Sequence, residues 1–281
     1  MECVLDSLTI DYEVHGSGYP VLLIHGFGCD RRLMIGCMEP VFKDRPGWQR
    51  IYLDLPGMGR TKGAEWIQST DEILTLVEQF VDKVFAGQRF VLAGESYGGY
   101  LSRALLSKRP DQIDGMLLIC PTAGIALHDA PPSNTVYKDK TVLARLENEP
   151  GISEFLEIQV VQDEYNWERF KAEIFSGLRA GDQEFLNRIS LRYDLTGNED
   201  MPREPYMKPV LILTGRQDHV VGYKNQWEYA QQYPRASFVM LDRAGHNLQI
   251  EQHGLFQALA SEWLDRVMEC RGRDEQVMRA E

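Results

Sequence analysis

Six short runs in this chain are apolar at every position: Val21–Ile24, Ile51–Leu53, Phe90–Ala93, Met116–Cys120, Val210–Leu213 and Phe238–Leu241. A strand with one solvated face alternates apolar and polar residues, so an unbroken apolar run marks a strand covered on both faces. Most of the gaps between these runs carry helical periodicity. Asp71–Phe85 repeats Ile73, Leu74, Val77, Phe80, Val81 and Val84 at helical spacing, and Tyr97–Ser107, Tyr223–Gln232 and Glu251–Met268 follow the same pattern. Buried strands alternating with helices predict a mostly parallel sheet with helices on both sides. A strand of another kind precedes them: Leu8, Ile10, Tyr12 and Val14 alternate with polar residues up to His15, and Gly16-Ser17-Gly18 ends it.

One stretch breaks this rhythm. Between Pro121 and Met207 there is no buried-strand pattern, only helix-like pieces around Thr141–Glu147, Ser153–Gln162, Asn166–Leu178 and Asp182–Tyr193. Residues 125–205 hold 16 acidic and 9 basic side chains, a net of −7 out of −12 for the whole chain. We read 125–205 as a helical subdomain inserted after about the sixth strand, and 1–124 with 206–281 as one α/β core. The charged end Arg271–Glu281 is expected to fray.

Charge and composition remove several functions. A chain with 30 Lys and Arg against 42 Asp and Glu lacks the basic surface needed to displace counterions from nucleic acid, and it is a poor match for an anionic membrane. No apolar run approaches the roughly 20 residues of a spanning helix. Its opening residues, Met-Glu-Cys-Val-Leu-Asp, lack a signal-peptide pattern. Five scattered cysteines without a Cys-x-x-Cys spacing read as reduced thiols, which predicts a cytoplasmic protein. Gly57-Met-Gly59 has no third glycine, and neither a P-loop nor a His-Glu-x-x-His occurs, so no cofactor and no metal are expected.

The sharpest motif is Gly94-Glu95-Ser96-Tyr97-Gly98-Gly99, which follows the run Phe90–Ala93 and opens a helical pattern. In that strand–turn–helix setting, Gly94 and Gly98 remove side chains that would clash in a tight turn, leaving the Ser96 hydroxyl above the sheet. An ordinary glycine-rich helix start is the plainer alternative. A serine needs a base, and of six histidines His246 lies just beyond Phe238–Leu241 and before the last helix. Asp218, beyond Val210–Leu213, would orient it. All three then sit at carboxyl ends of strands, where open α/β sheets place their clefts. His219, adjacent to Asp218, is disfavoured as the base; His15, His128 and His253 fall at a strand end, in the insert and on the last helix. The N–H groups of Tyr97 and of Phe27, in His25-Gly26-Phe27-Gly28, would face a developing oxyanion. His25 would then prop that loop. Glu95 is expected to pack or hydrogen-bond beneath the sheet, with tuning of the site's charge as the alternative.

The segments His25–Gly28, Asp54-Leu-Pro-Gly-Met-Gly-Arg-Thr61, Gly94–Gly99, Gly215-Arg-Gln-Asp218 and Gly245-His246 together resemble the α/β-hydrolase fold superfamily, in the chain order nucleophile, acid, base. The resemblance spans about residues 21 to 251. It implies an α/β fold with a mostly parallel eight-stranded sheet, helices on both faces and an inserted helical cap at 125–205. It also implies a triad of Ser96, Asp218 and His246 with oxyanion donors Phe27 and Tyr97. Relatives acting on haloalkanes and epoxides carry an aspartate where this chain has Ser96.

The expected activity is hydrolysis of a small or medium carboxylic ester through an acyl-enzyme, with its rate rising through an imidazole pKa of about 6 to 7. Amide or amino-peptide cleavage and carbon–carbon bond hydrolysis stay open on the same residues. A slowly turning-over ligand-binding or regulatory protein is the alternative of another class. The expected partner is a small-molecule substrate, with self-association open. The acidic insert favours neutral or cationic substrates, and two or three of its aromatics, among Tyr137, Phe155, Tyr165, Trp167, Phe170, Phe175, Phe185 and Tyr193, would face them.

Overall fold

In the computed structural model, alternate residues of the central strands feed opposite sides of one sheet. Leu22, Leu92, Leu118 and Ile212 join one buried cluster, while Leu23, Ala93, Leu117 and Leu213 join another. This is the period-two consequence of unbroken apolar runs. The structure describes residues 1–124, 130–197 and 202–278, with side chains to 273.

The strands are β1 (Glu2–Val4), β2 (Thr9–His15), β3 (Tyr19–Ile24), β4 (Trp48–Leu53), β5 (Phe90–Glu95) and β6 (Ile113–Ile119), with α1 (Arg31–Phe42), α2 (Thr70–Phe85) and α3 (Tyr97–Lys108) between them. The helical region follows: β7 (Tyr137–Lys138), α4 (Lys140–Arg145), α5 (Ile152–Ile158), β8 (Val161–Gln162), α6 (Glu164–Phe170), a π-helical turn (Lys171–Phe175), α7 (Ser176–Ala180) and α8 (Gln183–Ser190). The chain ends with β9 (Val210–Gly215), α9 (Lys224–Ala230), β10 (Ala236–Leu241), α10 (Leu248–Glu251) and α11 (His253–Met278). Eight strands form one sheet in the order β1-β2-β4-β3-β5-β6-β9-β10, antiparallel at β1–β2 and β2–β4 and parallel elsewhere.

Helices α2 and α3 cover one face through Leu74, Val77, Phe80, Leu101 and Leu105. On the other, α1 and α11 contribute Leu33, Met38, Phe256, Trp263 and Leu264. The extra helical region joins both clusters, Phe185 and Ile189 on the first side, Phe155 and Phe170 on the second. Its expected start at residue 125 and His128 lie outside the described residues.

Several details depart from expectation. Helix α1 is not visible in the pattern because Gly36 and Pro40 interrupt it, yet it buries Leu33, Met34, Met38 and Val41. Strand β10 was expected to be covered on both faces but is an edge strand whose residues are mostly half-buried. Helix α11 runs on to Met278 rather than fraying after 270; the Arg271 guanidinium lies 3.2 Å above the Tyr19 ring centre and holds that turn to the body.

The Asp54–Thr61 motif is a structural knot. Asp54 is buried, and Oδ1 accepts from the Arg31 N–H at 2.9 Å. Oδ2 accepts from the Arg60 N–H at 2.8 Å and from the Arg31 guanidinium at 2.6 Å. Against the burial that would raise it, Arg31 and these N–H groups hold the Asp54 carboxyl below the usual carboxylate range. Without Asp54, Arg31 would keep Asp11 as an ion-pair partner, but the Arg31 and Arg60 N–H groups would lose their acceptor. Asp54→Ala should therefore lower the free energy of unfolding by about 2–3 kcal/mol, read as a reduced midpoint in urea melts.

Candidate active site

Strand β5 gives way to α3 through a single residue, Ser96, at φ +49° and ψ −112°. Such left-handed geometry is strained for a residue with a Cβ and tends to mark functional positions. The turn is tight enough to need its glycines. A Cβ on Gly94 would run into the Gly98 carbonyl, and one on Gly98 into the carbonyls of Ile24 and His25.

Loops after β5, β9 and β10 bring three distant side chains together. The His246 Nε2 lies 3.0 Å from Ser96 Oγ, and Nδ1 lies 3.0 Å from Asp218 Oδ2. A carboxylate only accepts, so Nδ1 carries a proton and donates it to Asp218, and in the neutral ring Nε2 is left to accept from the Ser96 hydroxyl. Asp218 is itself fixed: Oδ1 accepts from the Val220 and Val221 N–H groups, each at 3.0 Å. All three residues are buried.

Ser96 and His246 line a cavity of about 320 Å³, with Asp218 behind the imidazole. Phe27, Leu33, Ile158, Ile174, Leu178, Tyr193, Val220 and Val221 make its wall largely apolar. The insert therefore contributes mainly aliphatic residues. Tyr193 is the insert aromatic on the wall, edge-on to Phe27 with ring centres 5.5 Å apart. Phe155, Trp167 and Phe170 pack on each other instead.

Phe27 borders the cavity beside Ser96, and Tyr97 opens α3, where first-turn N–H groups have no intrahelical partner. His25 holds the adjoining loop: Nε2 accepts from the Leu55 N–H at 3.0 Å, and Nδ1 lies 2.8 Å from the Gly26 carbonyl. The remaining described histidines do other things. His15 meets Glu13 and Glu39, His253 packs at a tilt against Tyr165, and His219 is absent from the cavity wall.

Glu95 corrects the expectation that it packs beneath the sheet. It borders the same cavity, with Oε1 3.5 Å from His246 Nε2. Gly26 makes room for it, since a Cβ there would strike the Glu95 carboxylate. Burial and the nearby Asp218 push this carboxyl up to about 7, while His246 and the Gly26 N–H pull it down. Its signal in the sequence is faint: it shares strand parity with Val91 and Ala93, and a glycine stands opposite.

Electrostatics at His246 also differ from the expected ordinary imidazole. Burial would lower its pKa, but Asp218 beside Nδ1, then Glu95 and Glu251, outweigh that and raise it to about 9. Cys120, at φ +40° just beyond β6, is buried close by. Its sulfur, Asp218 and His246 offer donor atoms within 4.8 Å of one another, the one such grouping among the described residues. Asp218 and His246 already bond each other, and burial pushes the Cys120 thiol well above its ordinary value, so these donors are poorly set for an ion.

The family described as alpha/beta hydrolase fold matches residues 19–252. An alpha/beta superfamily hydrolase from Oenococcus oeni PSU-1 is similar in structure, with a TM-score of 0.87 and 30% identity, over 95% of this chain and 99% of that one. A pimeloyl-[acyl-carrier protein] methyl ester esterase of Legionella pneumophila (strain Paris) is 25% identical over 260 residues, 92% of this chain and 100% of the relative. A 2-hydroxymuconate semialdehyde hydrolase of Pseudomonas sp. (strain CF600) is 22% identical over 256 residues, 89% of this chain and 88% of the relative.

The charge arrangement has a direct readout. The His246 ring should titrate well above an ordinary histidine when followed by NMR. Asp218→Asn, which removes the largest favourable charge, should lower that midpoint by about one unit or more.

Proposed function

The chain belongs to the α/β-hydrolase family, and on that footing we propose that this hydrolase cleaves a small or medium carboxylic ester through an acyl-enzyme on Ser96. The observation that carries this reading is the hydrogen-bonded line from Asp218 through His246 to Ser96, the last two lining an apolar cavity. In it, Ser96 Oγ attacks the ester carbonyl as its proton passes to His246 Nε2. The N–H groups of Phe27 and Tyr97 receive the negative oxygen. Collapse of the tetrahedral intermediate expels the alcohol, which takes the proton from Nε2. Water then repeats the sequence on the acyl-enzyme, releasing the carboxylic acid and restoring Ser96.

The cavity, near the small end of ligand pockets, suits a short to medium acyl chain. Residues 125–205 serve as its cap in this reading, through Ile158, Ile174, Leu178 and Tyr193. Amino-peptide cleavage finds less support, because Glu95 is the one acid among the described wall residues and it lies against the nucleophile rather than at the far end. Five unpaired cysteines favour a reducing, cytoplasmic setting.

Because the base must be neutral, activity is lost as pH falls through the His246 pKa, which its carboxylate neighbours hold high. The acid limb of kcat/KM on p-nitrophenyl esters should therefore lie above pH 7, higher than an ordinary imidazole would place it. Ser96→Ala should lower kcat by about 10⁴-fold or more. Equal turnover in both proteins would sink the serine mechanism. No turnover in either would shift the reading to amide or carbon–carbon substrates, or to a ligand-binding role.

A further inference from the structure

Glu251 is a buried acid for which ester cleavage by Ser96 has no direct use. It closes α10, five residues after His246. One carboxylate oxygen, Oε2, accepts from the Gly245 N–H at 2.5 Å. The other, Oε1, accepts from the Val160 N–H at 2.7 Å and the Val161 N–H at 3.3 Å. Gly245 immediately precedes His246, whereas Val160 and Val161 belong to the helical region some 90 residues earlier in the chain. A single side chain thus fastens two segments that the backbone connects only at long range.

Packing at the same point agrees. A Cβ on Gly245 would lie 2.9 Å from Val160 Cγ1 and 3.5 Å from Glu251 Oε2, so the glycine allows the His246 loop to lie directly against Val160. Two residues before Val160, Ile158 forms part of the cavity wall. The segment 158–161 therefore both walls the cavity and hangs on the loop that presents the imidazole.

We propose that Glu251 is a positioning residue that clamps the His246 loop to the helical region, coupling the imidazole's place to the seating of residues 158–161 over the cavity. The catalytic half of this proposal rests on the reading of Ser96 and His246 given above; the mechanical half does not. A carboxylate suits the task because both oxygens accept, one toward each segment. Glutamine can serve only one side, since its NH₂ would confront an N–H on the other.

The test compares wild type, Glu251→Gln and Val160→Pro by hydrogen exchange over peptides 158–163 and 243–248, with kcat and KM for p-nitrophenyl acetate. Val160→Pro deletes a donor from the insert side, and the extended Gln159 (φ −83°, ψ 128°) before it accommodates a following proline. Glu251→Gln should speed exchange in both peptides by about tenfold or more. It should lower kcat by about tenfold with KM changed less than about threefold. Val160→Pro should loosen the distant 243–248 peptide as well, and the double variant should be little worse than the worse single one. Faster exchange confined to one of the two peptides would overturn the clamp, and a lower melting temperature with unchanged kcat would overturn its coupling to the place of the imidazole. If Ser96→Ala retained full activity, the catalytic reading would fall while the exchange data still decided whether the clamp exists.

Discussion

The backbone at Ser96 is held where few side-chain-bearing residues go, and much of the neighbouring structure is arranged around that constraint. Its N–H donates to the Ile119 carbonyl at 2.9 Å, and its own carbonyl accepts from the Tyr100 and Thr122 N–H groups at 3.1 and 3.2 Å. Strand β6 and helix α3 thus grip it from both sides. Glycines at 94 and 98 let β3 and the start of α3 close on the turn. Left-handed strain of this kind costs about 1–3 kcal/mol and persists only where surroundings over-determine it. Here they fix the hydroxyl 3.0 Å from His246 Nε2.

What the sequence made legible follows from burial. Strands covered on both faces must be apolar throughout, so β3, β5, β6 and β9 stand out and their ends locate Ser96 and Asp218, while His246 follows the apolar run of the edge strand β10. Elements whose burial is partial escape that logic. Strand β1 has three residues with one buried, and α1 carries Gly36 because Glu173 of the π-helical turn presses on it. Glu95 and Glu251 were illegible as site neighbours for another reason. A buried carboxylate is placed by the donors around it, Gly26 for one and Gly245, Val160 and Val161 for the other, and all but Gly245 come from distant parts of the chain.

Acidity in the helical region has a local explanation that composition alone suggested differently. Asp139, Asp163 and Asp182 cap α4, α6 and α8 by accepting first-turn N–H groups. Glu173 pairs with Arg169, whose guanidinium also reaches the Gly36 carbonyl. These carboxylates are occupied in making short helices stand, rather than gathered at the cavity mouth as a field for cationic substrates.

Strands β6 and β9 are direct parallel neighbours, so the whole helical region is topologically one crossover connection that has grown long. Closing a flexible loop costs only about 0.6 kcal/mol more for each doubling of its length. This region can therefore differ in length at little cost while the sheet register stays intact. Glu251 narrows that freedom. Any transplanted segment must offer backbone donors where Val160 and Val161 now stand, so two amides without side-chain identity set the terms on which a foreign helical region could be grafted.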